Sequence, residues 1–282
     1  MPELPEVETV RRGLQDHTQG LLIAQVDVLR ARAIASPPDP ELFVLGLRDC
    51  RLGQWQRRGK YLFVDLRDGE GGDGGHWGVH LRMTGQFLWF QEPPSPCPHT
   101  RVRLFSDAGA ELRFVDTRSF GQMWWIPPGV AVEEGISGLR RLGPEPFGPD
   151  FTTEWLTNRL RGSKRPIKTA LLDQTLVAGV GNIYADESLF AAGLDPHTPS
   201  GRLTVSQIEQ LRGALVEVLR ISIGAGGTTF SDFRDLRGLN GHYGGQAWVY
   251  RRHGQPCRRC GAPIRREQLS GRGCHWCPSC QR

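Results

Sequence analysis

Apolar residues recur at helical spacing near the N-terminus, with Val7, Val10 and Leu14 on one face. This predicts a short helix over residues 2–14, with Pro5 tolerated in its first turn. From 21 to 127 the period changes. LIAQVDVLRA, QRRGKYLFVDL, WGVHLRMTGQFLWF, TRVRLFS and AELRFVD are rich in Val, Leu, Phe and Trp, and several alternate, which predicts strands. Ser106-Asp107-Ala108-Gly109 reads as a hairpin turn, and GEGGDGG (69–75) and PPSPCP (93–98) as loops. Beyond about 135 the pattern turns helical in WLTNRLRG, IKTALLDQ, IYADESLFAAG and VSQIEQLRGALVEVLRISI. In the last, Val205, Ile208, Leu211, Leu215, Val218 and Leu219 form one stripe. Thr204 and Gln207 form a capping box at its start. Gly143-Pro144-Glu145-Pro146 reads as a linker-like turn, and 224–246 as a long Gly-rich loop.

These elements predict an α+β chain in three parts. Residues 1–134 form a β-sandwich or barrel with a short N-terminal helix, 135–246 a helical region ending in the long loop, and 247–282 a small ribbon. A chain of 282 residues with 38% hydrophobic content can bury a core, which excludes disorder. No apolar run approaches the ~20 residues that a bilayer demands. The acidic, Pro-rich start MPELPEVETVRR does not read as a signal peptide, so an intracellular protein is expected.

The net charge of +5 is unevenly spread. Residues 251–282 hold eight Arg and the single acid Glu267, while the rest of the chain carries a slight net negative charge. A tail this basic points to a polyanion, nucleic acid being the commonest. Only three of the 35 basic residues are lysines: Lys60, Lys164 and Lys168. Lys can lose its proton and Arg cannot, so a retained Lys can mark a place that needs an ammonium.

Cys257-x2-Cys260 and Cys277-x2-Cys280, sixteen residues apart, read as a four-cysteine zinc site on a β-hairpin ribbon. Cys274 also lies two residues before Cys277 and offers an alternative pairing; 277/280 is preferred because Cys280 otherwise has no role. Four protein ligands leave no open position, so this zinc is structural. Cys50 and Cys97 read as small hydrophobes. At the other end, removal of Met1 would make Pro2 a free secondary amine. An α-amino group titrates near pH ~8 and is partly neutral and nucleophilic at pH 7. Glu3 beside it could move protons.

PELPEVETV at the N-terminus resembles that of the bacterial formamidopyrimidine-DNA glycosylases (Fpg, or MutM). The resemblance covers essentially the whole chain, through RRGKYL (57–62), HLRMTG (80–85), DTRSFG (116–121), LGPEPF (142–147), IKTALLDQ (167–174), GVGNIYADESLF (179–190), GGTTFSDF (226–233) and the terminal cysteines. Endonuclease VIII relatives typically begin PEGPE, whereas this chain has Leu4, which favours the purine-lesion branch. The resemblance implies an N-terminal β-sandwich, a helix–two-turn–helix domain and a zinc ribbon. It implies a bifunctional DNA-repair enzyme, monomeric, cytoplasmic and nucleoid-associated. Such an enzyme flips an oxidised purine out of duplex DNA, excises it, and cuts the strand by β,δ-elimination.

It also implies roles. Pro2 is the nucleophile, Glu3 a general acid/base, and Lys60 the proton donor for β-elimination. Glu6 supports Glu3. Arg272 matches an arginine assigned to δ-elimination, although a guanidinium is better suited to clamping phosphate. Met83, Arg118 and Phe120 fill the gap left by the flipped base. His99, Ser163, Lys164, Lys168 and Asn182 contact DNA. Glu187 lies near the flipped base, and Thr228, Thr229 and Ser231 belong to the loop that covers it.

Overall fold

The computed structural model describes residues 1–228, 235–236 and 238–282. The first helix, α1 (Leu4–Thr18), begins later than its hydrophobic spacing suggests and runs one turn longer. Glu3 and Glu6 cap it reciprocally, and Pro5 sits in the first turn, where no intrahelical N–H is lost. Its buried face is Leu4, Val7, Val10 and Leu14. Gln15 and Thr18 at its far end accept the backbone and indole N–H of Trp55 at 2.7 and 2.9 Å.

Nine strands come next: β1 (Ile23–Val28), β2 (Ile34–Ser36), β3 (Arg51–Arg58), β4 (Tyr61–Arg67), β5 (Asp73–His80), β6 (Gly85–Phe90), β7 (Thr100–Ser106), β8 (Glu111–Asp116) and β9 (Gln122–Ile126). They form a five-stranded sheet, β2-β9-β5-β4-β3, and a four-stranded sheet, β1-β7-β8-β6. A buried aromatic chain joins the sheets. Trp55 lies edge-on to Trp77 at 5.2 Å, Trp77 to Phe87 at 5.9 Å, and Phe87 packs on Phe114 at 5.2 Å. The expected β-sandwich is therefore what the chain forms. The predicted hairpin at Ser106–Gly109 is present, closed by the Gly109 N–H on the Ser106 carbonyl. The 69–75 segment is only partly a loop, since Asp73–Gly75 already belong to β5 and pair with β4.

Helix α2 (Pro40–Leu47) has no counterpart in the sequence reading. Asp39 caps it, and Phe43 and Leu47 are buried. Its Gly46 lies flat on Trp125, where an added Cβ would come within 2.2 Å of the indole ring. Gly46→Ala should therefore overpack the layer and cost about 2–3 kcal/mol. Denaturant unfolding measures this; an unchanged midpoint would mean that the indole simply swings away.

By its contacts the chain divides into two units, 1–140 with 226–241, and 141–225 with 242–282. The 226–241 segment, grouped with the helices in the sequence reading, thus belongs to the sandwich. There Leu236 is buried and its carbonyl accepts the Trp89 N–H at 3.0 Å. The short α3 (Val132–Gly135) completes the first unit.

The second unit contains α4 (Thr153–Leu160), α5 (Ile167–Leu171), α6 (Asn182–Ala191), α7 (Val205–Gly224) and the hairpin β10 (Arg265–Leu269) and β11 (Arg272–Trp276). The predicted α7 stripe packs as expected from Ile208 to Leu219, but Val205 is exposed. The α7 capping box is present. Residues 143–146 are no loose linker. The Gly143 N–H bonds the Gln174 carbonyl, and a Cβ on Gly143 would strike the Thr175 carbonyl at 2.4 Å.

Candidate active site and nucleic-acid interface

The first unit gathers three expected catalytic side chains in enclosed positions. Pro2 is buried, Glu3 is 3% exposed and Lys60 is 8% exposed. Glu3 occupies the N-cap of α1, and its carboxylate accepts the Glu6 N–H. Lys60 lies in the two-residue turn joining β3 to β4, with Gly59 at φ +56°. That turn is fastened to α1 through Arg57, which donates to the Gly59 carbonyl at 3.0 Å and to Glu8 of α1 at 3.2 Å. Glu8 also receives Arg11 and Arg12. Burial pushes its carboxyl up, but these hydrogen bonds and the three guanidinium charges bring it below the ordinary range. Glu8 is thus an anionic post that fixes the lysine turn against the N-terminal helix.

His80 is a residue that the sequence reading leaves unassigned, although it opens the HLRMTG motif. It faces Tyr61 across β4 and β5, ring edge to ring at 4.5 Å. Burial, with Arg82 and Lys60 as cationic neighbours, pushes it down to about 3. Its Nδ1 accepts the Arg82 N–H at 3.0 Å, which places the ring proton on Nε2. The unfolded chain takes up this proton near pH ~6.5 and the folded one does not. Stability from this group is therefore full above that pH and is lost on acidification toward the folded value. Between pH 7 and about pH 4.5 the loss should be about 2–3 kcal/mol. A His80→Gln variant should lose correspondingly less over the same range; equal acid sensitivity would mean the imidazole is charged in the fold.

Met83, Arg118 and Phe120 stand on two loops that one carboxylate joins. Asp116 is buried at the end of β8. It accepts the Thr84 hydroxyl, the Arg118 N–H at 3.2 Å and the Gly121 N–H at 2.7 Å. The Arg118 N–H also reaches the Thr84 hydroxyl. Both loops carry a strained residue, Arg82 and Ser119 each at φ +54°. On these loops Arg118 and Phe120 are exposed, Phe120 at 47%, and Met83 is half-buried. The Arg32 guanidinium covers the Phe120 ring at 5.8 Å. An aspartate accepting the N–H two residues ahead is a turn signature readable in DTRSFG, so a local signal for Asp116 exists in the sequence. His99 is exposed, and its carbonyl accepts the Asp116 N–H.

In the second unit Gln174 shapes the turn before α6. Its side chain accepts the Gly179 N–H and donates to the Val180 carbonyl. Asn182 then opens α6, and its amide donates to the Gly273 carbonyl at 2.9 Å. Gly273 follows Arg272 at the tip of the β10–β11 hairpin, where Ser270 and Gly271 both take positive φ. Arg272 is exposed there. Asn182 and Arg272, from separate parts of the sequence, thus share one edge. Lys164 is exposed, and the half-buried Ser163 accepts the Ser200 hydroxyl.

Two expected contact residues are occupied otherwise. Lys168 is 1% exposed; its ammonium pairs with Asp186 at 2.6 Å and donates to the Gly273 carbonyl. The Glu187 carboxylate is fully buried and accepts the N–H groups of Trp248, Val249 and Tyr250 at 2.8–2.9 Å. Burial holds Glu187 above the ordinary carboxylate range despite those three donors. Both residues tie the ribbon to α6. Thr228 is buried; Thr229 and Ser231 lie outside the described residues.

The sulfurs of Cys257, Cys260, Cys277 and Cys280 lie within 4.8 Å of one another. Tetrahedral zinc with Zn–S bonds of about 2.3 Å requires edges of about 3.8 Å, so the set fits one ion. Cys274 is excluded from it. Its thiol is buried, and that burial, with Asp186 nearby, pushes it up to about 12. Cys50 is buried as expected, but Cys97 is exposed.

Residues 1–123 match the formamidopyrimidine-DNA glycosylase N-terminal domain, 142–234 its H2TH domain, and 254–282 the zinc finger found in FPG and IleRS. A formamidopyrimidine-DNA glycosylase of Parasynechococcus marenigrum is 65% identical over 281 residues, covering the whole of both chains. The chain belongs to the formamidopyrimidine-DNA glycosylase family. Another member, from a Synechococcus strain, is 63% identical over the whole of this chain and 99% of its own. A Lactococcus lactis FPG mutant in complex with Fapy-dG-containing DNA superposes with a TM-score of 0.90 at 33% identity, over the whole of both chains. MutM from Thermus thermophilus gives 0.86 at 40% identity, over 99% of this chain and 98% of that one. Family membership makes the chain a DNA-repair glycosylase with one structural zinc. Among the described residues no helix is long and apolar enough to cross a membrane.

Proposed function

We propose that this glycosylase removes oxidised purines, 8-oxoguanine and formamidopyrimidines, from duplex DNA through a Schiff base at Pro2 and then cuts the strand by β,δ-elimination. The observation that carries the reading is the enclosed N-terminus: Pro2, Glu3 and Lys60 are buried in one unit, and the Lys60 turn is fastened to α1. Once Met1 is removed, the Pro2 amine attacks C1′ as the bond to the damaged base breaks. The base leaves with the bonding electrons and is protonated. The nitrogen then gives up its proton and expels O4′, which is protonated as the C1′–O4′ bond breaks and the sugar ring opens to an iminium. The iminium draws electrons from C2′, which gives up a proton while the C3′–O bond breaks and the 3′ phosphate leaves. A second elimination expels the 5′ phosphate. Glu3 and Lys60 move these protons.

On the DNA side, Arg118, Phe120 and Met83 fill the vacated position: Phe wedges between steps, Met adapts, and Arg bonds the orphaned base. Asn182, Lys164, Ser163, Arg272 and His99 engage phosphates, with Arg272 acting as a clamp. The chain works as a monomer in the cytoplasm, on nucleoid DNA. A Lactococcus lactis FPG also accommodates DNA containing an oxidised pyrimidine, so a lesion panel is part of the test. Borohydride should trap the wild-type protein on a duplex with one 8-oxoguanine opposite cytosine. Tight binding without a cross-link would overturn the Schiff-base reading, and a preference for thymine glycol would overturn the substrate.

A further inference from the structure

Glu6 is 1% exposed, and the reaction above gives it no step. Its two oxygens serve different partners. Oε2 accepts the Glu3 N–H at 2.8 Å. Oε1 accepts the Thr228 N–H at 2.7 Å, from a residue 222 positions further along the chain and in the same unit. The first bond fixes the residue next to Pro2. The second holds the Gly226-Gly227 turn, whose φ angles are +73° and +79°. That turn is shaped around the carboxylate: a Cβ at Gly227 would come 3.1 Å from Oε1, and one at Gly241 would meet the Gly227 carbonyl at 2.4 Å. Each N–H needs an oxygen of its own. A carboxylate offers two and a carboxamide one. The negative charge also suits the first turn of α1.

We infer that Glu6 is a positioning residue for the N-terminal amine, seating the Pro2–Glu3 backbone against the Gly226–Thr228 turn. The inference rests on the Schiff-base reading. It makes the glycine turn part of what places the nucleophile, although it touches no reacting atom.

The test is single-turnover borohydride trapping on a preformed abasic duplex at saturating protein. DNA affinity and thermal unfolding are measured in parallel for wild type, Glu6→Gln, Gly227→Ala and the double variant. Glu6→Gln should slow trapping at least about tenfold while DNA affinity stays within about twofold and unfolding stays cooperative. Gly227→Ala disturbs the same contact from the other side and should slow trapping too. The double variant should be no slower than Glu6→Gln, because both remove one coupling. Trapping at the wild-type rate, a loss that only follows DNA affinity, or losses that multiply would each overturn the inference. Should Glu6→Gln not fold, Gly227→Ala alone decides by the same split between trapping and affinity. A wild type that does not trap overturns the underlying reading; a wild type that traps beside an unaffected Glu6→Gln overturns this inference alone.

Discussion

Stripping the zinc is expected to cost the protein its grip on all DNA, damaged or not, while leaving the N-terminal chemistry largely intact. Four cysteines and one ion organise a ribbon whose hydrophobic cluster includes little more than Phe190, Val249 and Ile264. Such a small core cannot hold a hairpin by itself, and ligation of structural zinc is worth roughly 10–16 kcal/mol in isolated fingers. Residues 251–282 carry eight Arg against one acid, and Arg272 sits at the hairpin tip. Losing several phosphate contacts should lower affinity by about a hundredfold or more, and the slope of log affinity against log salt should become shallower. Pro2, Glu3 and Lys60 lie in the other unit. At DNA concentrations high enough to saturate the stripped protein, trapping should return to within roughly tenfold of the zinc-loaded rate. The measurement is binding and trapping before and after chelation, followed by re-addition of zinc. A stripped protein that binds DNA normally, or one that binds fully but no longer reacts, would sink the expectation.

The sandwich, the capping boxes and the cysteine pairing are legible because each has a local code. Strands such as β4 and β7 alternate, Thr204 and Gln207 stand three apart, and x2 spacing brings two thiolates to one ion. The features that escape such a reading depend on partners far along the chain. Helix α2 is hidden because PELFVLGL is apolar almost throughout, with no stripe to read; only Asp39 before Pro40 marks its start. Lys168 and Glu187 sit in motifs that suggest ligand contact, and nothing local shows that Gly273 and residues 248–250 claim their polar atoms. The reverse holds for Asp116 and His80. Their motifs are conspicuous for the exposed side chains they carry, yet these two buried groups are what hold those side chains in place. Val205 shows the limit of periodicity, since a residue at the first position of a helix can match the stripe and still face solvent.

Pro2→Gly should remove the borohydride cross-link to 8-oxoguanine DNA while leaving DNA affinity nearly unchanged. Both residues offer an N-terminal amine once Met1, half exposed in the structure, is removed. They differ once the amine has attacked. A secondary amine that forms a double bond to C1′ has no proton left to lose, so its iminium is permanently cationic and withdraws electrons at any pH. A primary amine gives a neutral imine unless a neighbour protonates it. The pyrrolidine ring also locks rotation about N–Cα and so aims the lone pair, whereas glycine leaves the terminal amine free to rotate beside the Glu3–Glu6 capping box. Together these should slow base excision by about a thousandfold, roughly 4 kcal/mol at the transition state. The phosphate-contacting residues proposed above lie elsewhere in the chain, so binding should persist. On a preformed abasic duplex the glycine amine needs no base to leave, and a weaker cross-link should survive. Intact-mass measurement of both proteins establishes that Met1 is gone. If Pro2→Gly cross-links to the lesion duplex as fast as wild type, the terminal amine is not the nucleophile. The enclosed Lys60 would then be the side chain to replace next.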